Sequence, residues 1–238
     1  MVDLRQVLAI IPARGGSTGI KRKNLVRILG KPLVVHSIEH ALASKCITRT
    51  IVSTEDDEIA EVSRAAGAEV PFMRPDILAG DSVLDLPVFQ HVLEELRQRE
   101  DYTPDLVVHL RPTSPLRKHS WIAAAVELLS ANPEADSVRS VSAPAQHPYR
   151  VFRIDASGYL DPIMKLEHPM PYLLRRQELP PMYYYNCVID VTRPSTIENM
   201  QSMTGAKILP FIMNADEAVD VDSPRDLTIA RILMETKT

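Results

Sequence analysis

Cysteine, glycine and long apolar runs are all scarce in this chain of 238 residues, and each shortage excludes something. The two cysteines, Cys46 and Cys187, stand far apart with no ligand-spaced neighbours, so neither a disulfide framework nor a zinc site is expected. They read as reduced thiols. Neither a signal-peptide core nor a membrane-length apolar run is present, and the expectation is a soluble, cytoplasmic protein without a membrane partner. A basic surplus is missing as well: the formal net charge is -4 and the pI about 6.0, which argues against a nucleic-acid partner. No Gly-x-Ser-x-Gly elbow or Cys/His pair offers a covalent nucleophile. His36, His40, His91, His109 and His119 show no metal-ligand spacing and read as structural or surface residues.

What is present is the composition of a globular protein, 45% hydrophobic and 24% charged, long enough for one large domain. Apolar runs alternate with amphipathic stretches. Strands are expected at Gln6–Ile11, Thr50–Ser53, Glu69–Phe72, Asp105–Leu110, Ser137–Ser142, Tyr183–Val191 and Lys207–Met213. Between them fall a helix from Pro32 with Leu33, Val34, Ile38, Ala41 and Leu42 on one face, and a helix capped by Thr54 that stops at Gly67. Further helices are expected at Leu86–Arg99, Trp121–Leu129, Pro194–Met200 and after Ser223-Pro224. This rhythm predicts a three-layer α/β fold with a mainly parallel sheet, whose ligand crevice lies at the carboxyl ends of the strands. From 143 to 182 the rhythm breaks into a hairpin signal, Asp155-Ala156-Ser157-Gly158, and a proline-rich stretch, read as an excursion inserted in a single domain.

Two stretches carry chemistry on their own. After the first strand, Ala13-Arg14-Gly15-Gly16-Ser17-Thr18-Gly19 and Lys21-Arg22-Lys23-Asn24 combine glycines that let backbone N–H groups approach an anion with a crowd of cations. It is neither a Walker A loop nor a dinucleotide fingerprint, so a triphosphate cradle and a basic surface loop both remain open. Near the end, Asp220 and Asp222 alternate in extended backbone and point the same way, as a hard-cation site would, though acidic residues at a helix start are favourable anyway. Tyr183-Tyr184-Tyr185 fits a stacking platform or a subunit interface.

Four ordered motifs narrow these readings. Residues 11–24, then Arg111-Pro112-Thr113-Ser114-Pro115-Leu116-Arg117, then Arg175-Arg176-Gln177-Glu178-Leu179-Pro180, then Val219-Asp220-Val221-Asp222-Ser223-Pro224 resemble the acylneuraminate cytidylyltransferases over nearly the whole chain. The resemblance implies a nucleotide-diphospho-sugar transferase type of Rossmann-like fold. It also implies a homodimer, and activation of a 2-keto-3-deoxy sugar acid by CTP and Mg²⁺ with release of pyrophosphate. Residue by residue, it implies triphosphate binding and catalysis by Arg14 and Lys23, with Ala13, Gly15, Gly16, Ser17, Asn24, Arg74 and Asp81 around the nucleotide. Asp220 and Asp222 become the metal pair, Asp222 also a catalytic candidate for the acceptor's proton. Arg111, Ser114, Arg150, Arg176 and Asn186 become the sugar-acid side.

The departures are as informative. Thr18 stands where the family carries Lys, Lys21 where it carries Pro, and Arg111 where the sialic acid enzymes carry Gln. Cys187 and Asp190 replace Gly and Tyr. A sugar-1-phosphate nucleotidylyltransferase of the same fold, an octulosonate cytidylyltransferase and a non-catalytic nucleotide-binding module are the alternatives.

Overall fold

The computed structural model describes residues 6–165 and 168–236. Val7–Pro12 (β1) is buried along its length, Leu8 to Ile11 completely, because both of its faces are covered. Burial of each such aliphatic side chain contributes about 1.5–3 kcal/mol. Arg27–Ile28 (β2) and Lys31–Pro32 (β3) form a two-residue ribbon leading into Leu33–Ala43 (α1). Arg49–Ser53 (β4) pairs parallel to β1 on one side, and Leu106–His109 (β5) parallel on the other. Asp57–Ala65 (α2), Asp85–Glu100 (α3) and His119–Ser130 (α4) lie between the strands in sequence. Ser137–Ser142 (β6), Tyr184–Thr192 (β9) and Ile208–Met213 (β10) complete a six-stranded sheet in the order β10-β6-β9-β5-β1-β4. Only β9 runs against the rest, pairing antiparallel with both β5 and β6. The sheet is mainly parallel, as the alternation predicts.

Two hydrophobic clusters lie on opposite faces of β1. Ala9 and Ile11 face α1 and α4, whereas Leu8 and Ile10 face the Val88, Phe89, Val92 and Leu96 stripe of α3. Pro194–Glu198 (α5) joins the second cluster through Ile197. Pro224–Glu235 (α6) closes the chain, with Ser223 as N-cap, Pro224 at the first turn and a reciprocal bond with Asp226.

Several local expectations are corrected. Leu42 is half exposed, and His36 and Ser37 take the inner face of α1 instead. The cap of α2 is Asp56, which accepts from Ile59 N at 3.0 Å; Thr54 accepts from Asp56 N in the preceding turn. Gly67 does end that helix, at φ 94°. The stretch 69–72 makes an isolated bridge from Glu69 to Ile51, because Pro71 has no N–H to extend a ladder. Within 143–182, Phe152–Ile154 (β7) and Leu160–Pro162 (β8) form a separate hairpin around Gly158 at φ 86°. His147 Nε2 lies 3.0 Å from the Pro180 carbonyl, which ties the start of this excursion to its end.

Candidate active site

The carboxyl ends of β1, β4 and β5 deliver Arg14, Glu55 and Arg111 to one edge of the sheet, where a cleft of about 360 Å³ opens. Its walls include Arg14, Lys23, Asn24, Arg74, Asp81, Asp85, Arg111, Thr113, Cys187, Asp220 and Asp222. A second hollow of about 290 Å³, lined by Gly16, Ser17, Thr18 and Gly19, shares Arg14, Lys23, Asn24 and Asp222 with it. Residues separated by two hundred positions therefore meet.

The loop after β1 folds differently from what its glycines suggest. Its left-handed residue is Arg22 at φ 51°, while Gly15, Gly16 and Gly19 all avoid positive φ. Gly19 is required for closeness: a Cβ there would stand 2.3 Å from the Asp222 carbonyl oxygen. Ser17 stitches the turn, donating to the Ile20 carbonyl at 2.7 Å and accepting from Lys23 N at 3.0 Å. Asn24 is buried and donates to the Arg14 carbonyl at 2.8 Å, fixing both ends of the loop. Arg22 is turned away from the cleft, onto Asp56 at 2.8 and 2.9 Å and Glu58 at 2.8 Å. Sequence proximity had grouped it with the cleft cations.

Asp220 and Asp222 reach the cleft because Val221 between them is fully buried with Ile28, Leu33 and Leu116. Val221 N also donates to the Thr113 carbonyl at 2.8 Å, docking this segment on the 111–117 loop. Both aspartates flanking it line the cleft. Burial, and next the Asp222 charge, push the Asp220 carboxyl up, opposed by a hydrogen bond from Thr113 and the Lys23 charge. Its Oδ1 is buried without a hydrogen-bond partner. Lys23 Nζ sits 2.7 Å from Asp222, and Arg14 2.9 Å from Asp81; both carboxylates are largely exposed.

Arg74 and Arg111 are held more firmly. Arg74 is buried, donating from Nε to Ser53 Oγ at 3.0 Å and from Nη2 to the Ser53 carbonyl, and burial lowers its pKa. Arg111 donates from Nη1 to Tyr185 Oη at 2.7 Å and Asp190 at 2.9 Å, and from Nη2 to Asp85 at 2.7 Å. Asp190 is fully buried, and Tyr185 Oη donates to it as well. Two departures from the family pattern, Arg for Gln and Asp for Tyr, are thus one ion pair. Cys187, where the family has Gly, keeps a left-handed φ of 62°.

Not every expected residue joins the cleft. Ser114 is buried with its hydroxyl unpartnered, and buried Asn186 donates to Ser142 Oγ at 2.7 Å; neither lines the cleft. Arg150 and Arg176 are exposed on the excursion, donating to the carbonyls of Leu174 and Pro144, and Arg176 instead lines a separate hollow of about 120 Å³. Sequence reading missed Asp85, Glu55 and Arg117. Glu55 accepts from Gly15 N at 2.6 Å; Arg117, wholly buried, donates to the Val188 and Arg111 carbonyls and to Ser37. An acidic residue opening a helix at the sheet's carboxyl edge was the available signal for Asp85.

A CMP-N,N'-diacetyllegionaminic acid synthase of Legionella pneumophila is 33% identical over 235 residues, covering 97% of both chains. An N-acylneuraminate cytidylyltransferase of Streptococcus agalactiae is 28% identical over 221 residues, 92% of this chain and 51% of that protein. The solved structure of CMP:2-keto-3-deoxy-manno-octonic acid synthetase complexed with CTP superposes with a TM-score of 0.72 at 20% identity. It covers 98% of this chain and 100% of that one, and at that identity shows the fold. The family described as Cytidylyltransferase matches residues 8–206. The chain belongs to this cytidylyltransferase family of nucleotidyltransferases, with the acylneuraminate enzymes among its relatives.

Proposed function

We propose that this enzyme transfers CMP from CTP to a 2-keto-3-deoxy sugar acid of the nine-carbon, sialic-acid-like class, releasing pyrophosphate. The observation that carries the proposal is the convergence of Arg14 and Lys23 with Asp220 and Asp222 in one cleft, each cation paired among the described residues only to an exposed carboxylate. Such pairs exchange readily for phosphate oxygens. The relatives' names supply the nucleotide and the sugar-acid class.

The acceptor's anomeric hydroxyl attacks the α-phosphorus in line, the P–O bond to the β-phosphate breaks, and pyrophosphate leaves. Arg14 and Lys23 stabilise the charge growing on it. In this reading Asp222, released from Lys23 by the incoming phosphates, is the candidate for the hydroxyl proton. Asp220 and Asp222 fit a hard divalent cation: both offer oxygen, and one Asp220 oxygen is buried and unpartnered. Among the described residues no third His, Cys, Asp or Glu completes a cage, which suits Mg²⁺ held by two carboxylates, water and substrate phosphates. When bound, Mg²⁺ supplies charge neutralisation at the phosphate oxygens.

The excursion supports a homodimer in this reading. Ile154, Tyr159, Leu160, Ile163 and Leu173 expose 58–73% of their surface there, an apolar face that a second copy would cover. Arg150 and Arg176 on it would then meet substrate across the interface, which accounts for their distance from their own cleft.

The deciding assay is pyrophosphate release with Mg²⁺, each of the four nucleoside triphosphates, and a panel of 2-keto-3-deoxy acids and sugar-1-phosphates. Release that requires both CTP and a nine-carbon keto acid is the expected result. Release with a sugar-1-phosphate alone, or with the eight-carbon acid alone, would move the acceptor to the corresponding alternative. CTP binding without release on any acceptor would leave a nucleotide-binding module.

A further inference from the structure

Arg111 lies in the wall where the acceptor is expected, and an arginine near a sugar acid invites pairing with its carboxylate. The structure argues against that use. Asp85 and Asp190 both contact this guanidinium, and with Arg139 beside Asp190 the two arginines already balance the two carboxylates. Asp190 is sealed in the interior, and Arg139 lies near its far oxygen at 3.8 Å while stacking over Tyr185 at 4.3 Å. A third carboxylate arriving at Arg111 would meet two others at close range.

What Arg111 retains is hydrogen-bonding capacity without net charge. Among the described residues three of its five N–H donors are used, leaving Nε–H and one Nη2 hydrogen. Beside them, Asp85 uses Oδ2 toward Arg111, and its Oδ1 makes no hydrogen bond among the described residues. Asp85 is held as the first residue of α3, and both side chains line the cleft. Leu84 and Val88 add apolar surface alongside. A fixed donor next to a fixed acceptor matches a neutral group that both accepts and donates.

We infer that Arg111 and Asp85 select the acceptor through a neutral amide or hydroxyl substituent rather than through its carboxylate, with Asp190 as the positioning residue for Arg111. This inference rests on the sugar-acid cytidylyltransferase reading. A pocket built to bond such a group rejects an analogue lacking it, because its own polar atoms are then left unpaired.

The test compares kcat/KM for an active keto acid and for analogues in which one chain acylamino or hydroxyl group is replaced by hydrogen. Wild-type enzyme is expected to lose at least tenfold on one of these analogues. In Arg111→Gln/Asp190→Asn, which removes both buried charges together, that preference should shrink to within twofold, with the KM for CTP unchanged within twofold. Asp85→Ala, at a side chain 41% exposed, repeats the measurement on a variant expected to fold. Whether the acylamino or the hydroxyl analogue responds names the group. Survival of the preference in both variants overturns the inference. So does an equal loss on acceptor and analogues, which would mark Arg111 as the carboxylate site, or a tenfold rise in the KM for CTP. No pyrophosphate from wild type on any keto acid would bring down the underlying reading and this one with it.

Discussion

The two sides of the cleft treat charge in opposite ways. On the proposed phosphate side, Arg14 and Lys23 rest on aspartates whose side chains are 67% and 69% exposed. On the proposed acceptor side, Arg111 is clasped by a carboxylate with no exposure at all, and Arg139, Tyr185 and His109 pack around the pair. Exposed pairs are worth little, typically about 0–1 kcal/mol, so a polyanion displaces them at small cost. A buried pair resists displacement, since freeing one partner strands the other. The first arrangement suits a ligand that brings its own charge; the second suits holding a shape.

Breaking the buried side should therefore give the largest effect. Arg111→Gln takes from the buried Asp190 its nearest cation, leaving it Tyr185 and the more distant Arg139, and should destabilise by about 3–5 kcal/mol in urea unfolding. Arg111→Gln/Asp190→Asn should recover much of that loss. Equal destabilisation by single and double variants would mean that the pair is not the unit described.

Lys23→Ala probes the exposed side and should separate function from stability. If Lys23 stands at the reacting phosphates as proposed, its removal should lower kcat by about 10²–10³-fold, equivalent to roughly 2.7–4 kcal/mol. Melting should barely move, because the lost pair is with an exposed aspartate. Turnover close to wild type would remove Lys23 from the mechanism.

The same contrast explains how much was legible beforehand. The strand-helix alternation, the Ser223 cap, the Gly67 stop and the Asp220/Asp222 alternation are local patterns, and the folded chain follows them. Which charge faces which is not local. Arg22 and Lys23 are neighbours, yet one turns to α2 and the other to the cleft, because Arg22 adopts a left-handed backbone. Arg111 and Asp190 looked like two unrelated departures until β5 and β9 paired, with His109 opposite Asp190. Asp85 carried only a helix-start signal, and Arg117 closed a motif without showing that it would be buried against carbonyl oxygens.

His109 sharpens the comparison through pH. It is buried at the edge of the acceptor-side network, its ring 4.6 Å from Phe89, with neither nitrogen hydrogen-bonded. Burial first, then the charges of Arg111, Arg139 and Arg117, hold it well below the ordinary imidazole value, despite Asp190 and Asp85 at 3.7 and 3.9 Å. A depressed folded-state value means that the unfolded chain takes up a proton that the folded protein refuses. Stability from this group is complete above the unfolded value near 6.5 and falls as the pH drops below it. Stability should fall as the pH drops from 6.5 toward 5, and His109→Phe should remove that slope from melting curves. An unchanged slope would locate the acid sensitivity elsewhere.

The smallest effect should come from Arg22, and it separates a cleft cation from a surface one. Its pairs with Asp56 and Glu58 involve a side chain 39% exposed, worth at most about 1 kcal/mol after solvent screening. Its backbone at φ 51° costs a similar amount, since a Cβ in the left-handed region is disfavoured by about 1–2 kcal/mol. Arg22→Gly loses the pairs and relieves the backbone, so the two terms offset and urea unfolding should shift by less than about 0.5 kcal/mol. Arg22→Ala loses the pairs and keeps the strain, so it should be the less stable variant. Turnover of both should stay within twofold of wild type, because neither substitution touches the cleft wall; a tenfold fall in Arg22→Gly would return this arginine to the phosphate side, where its sequence position first put it.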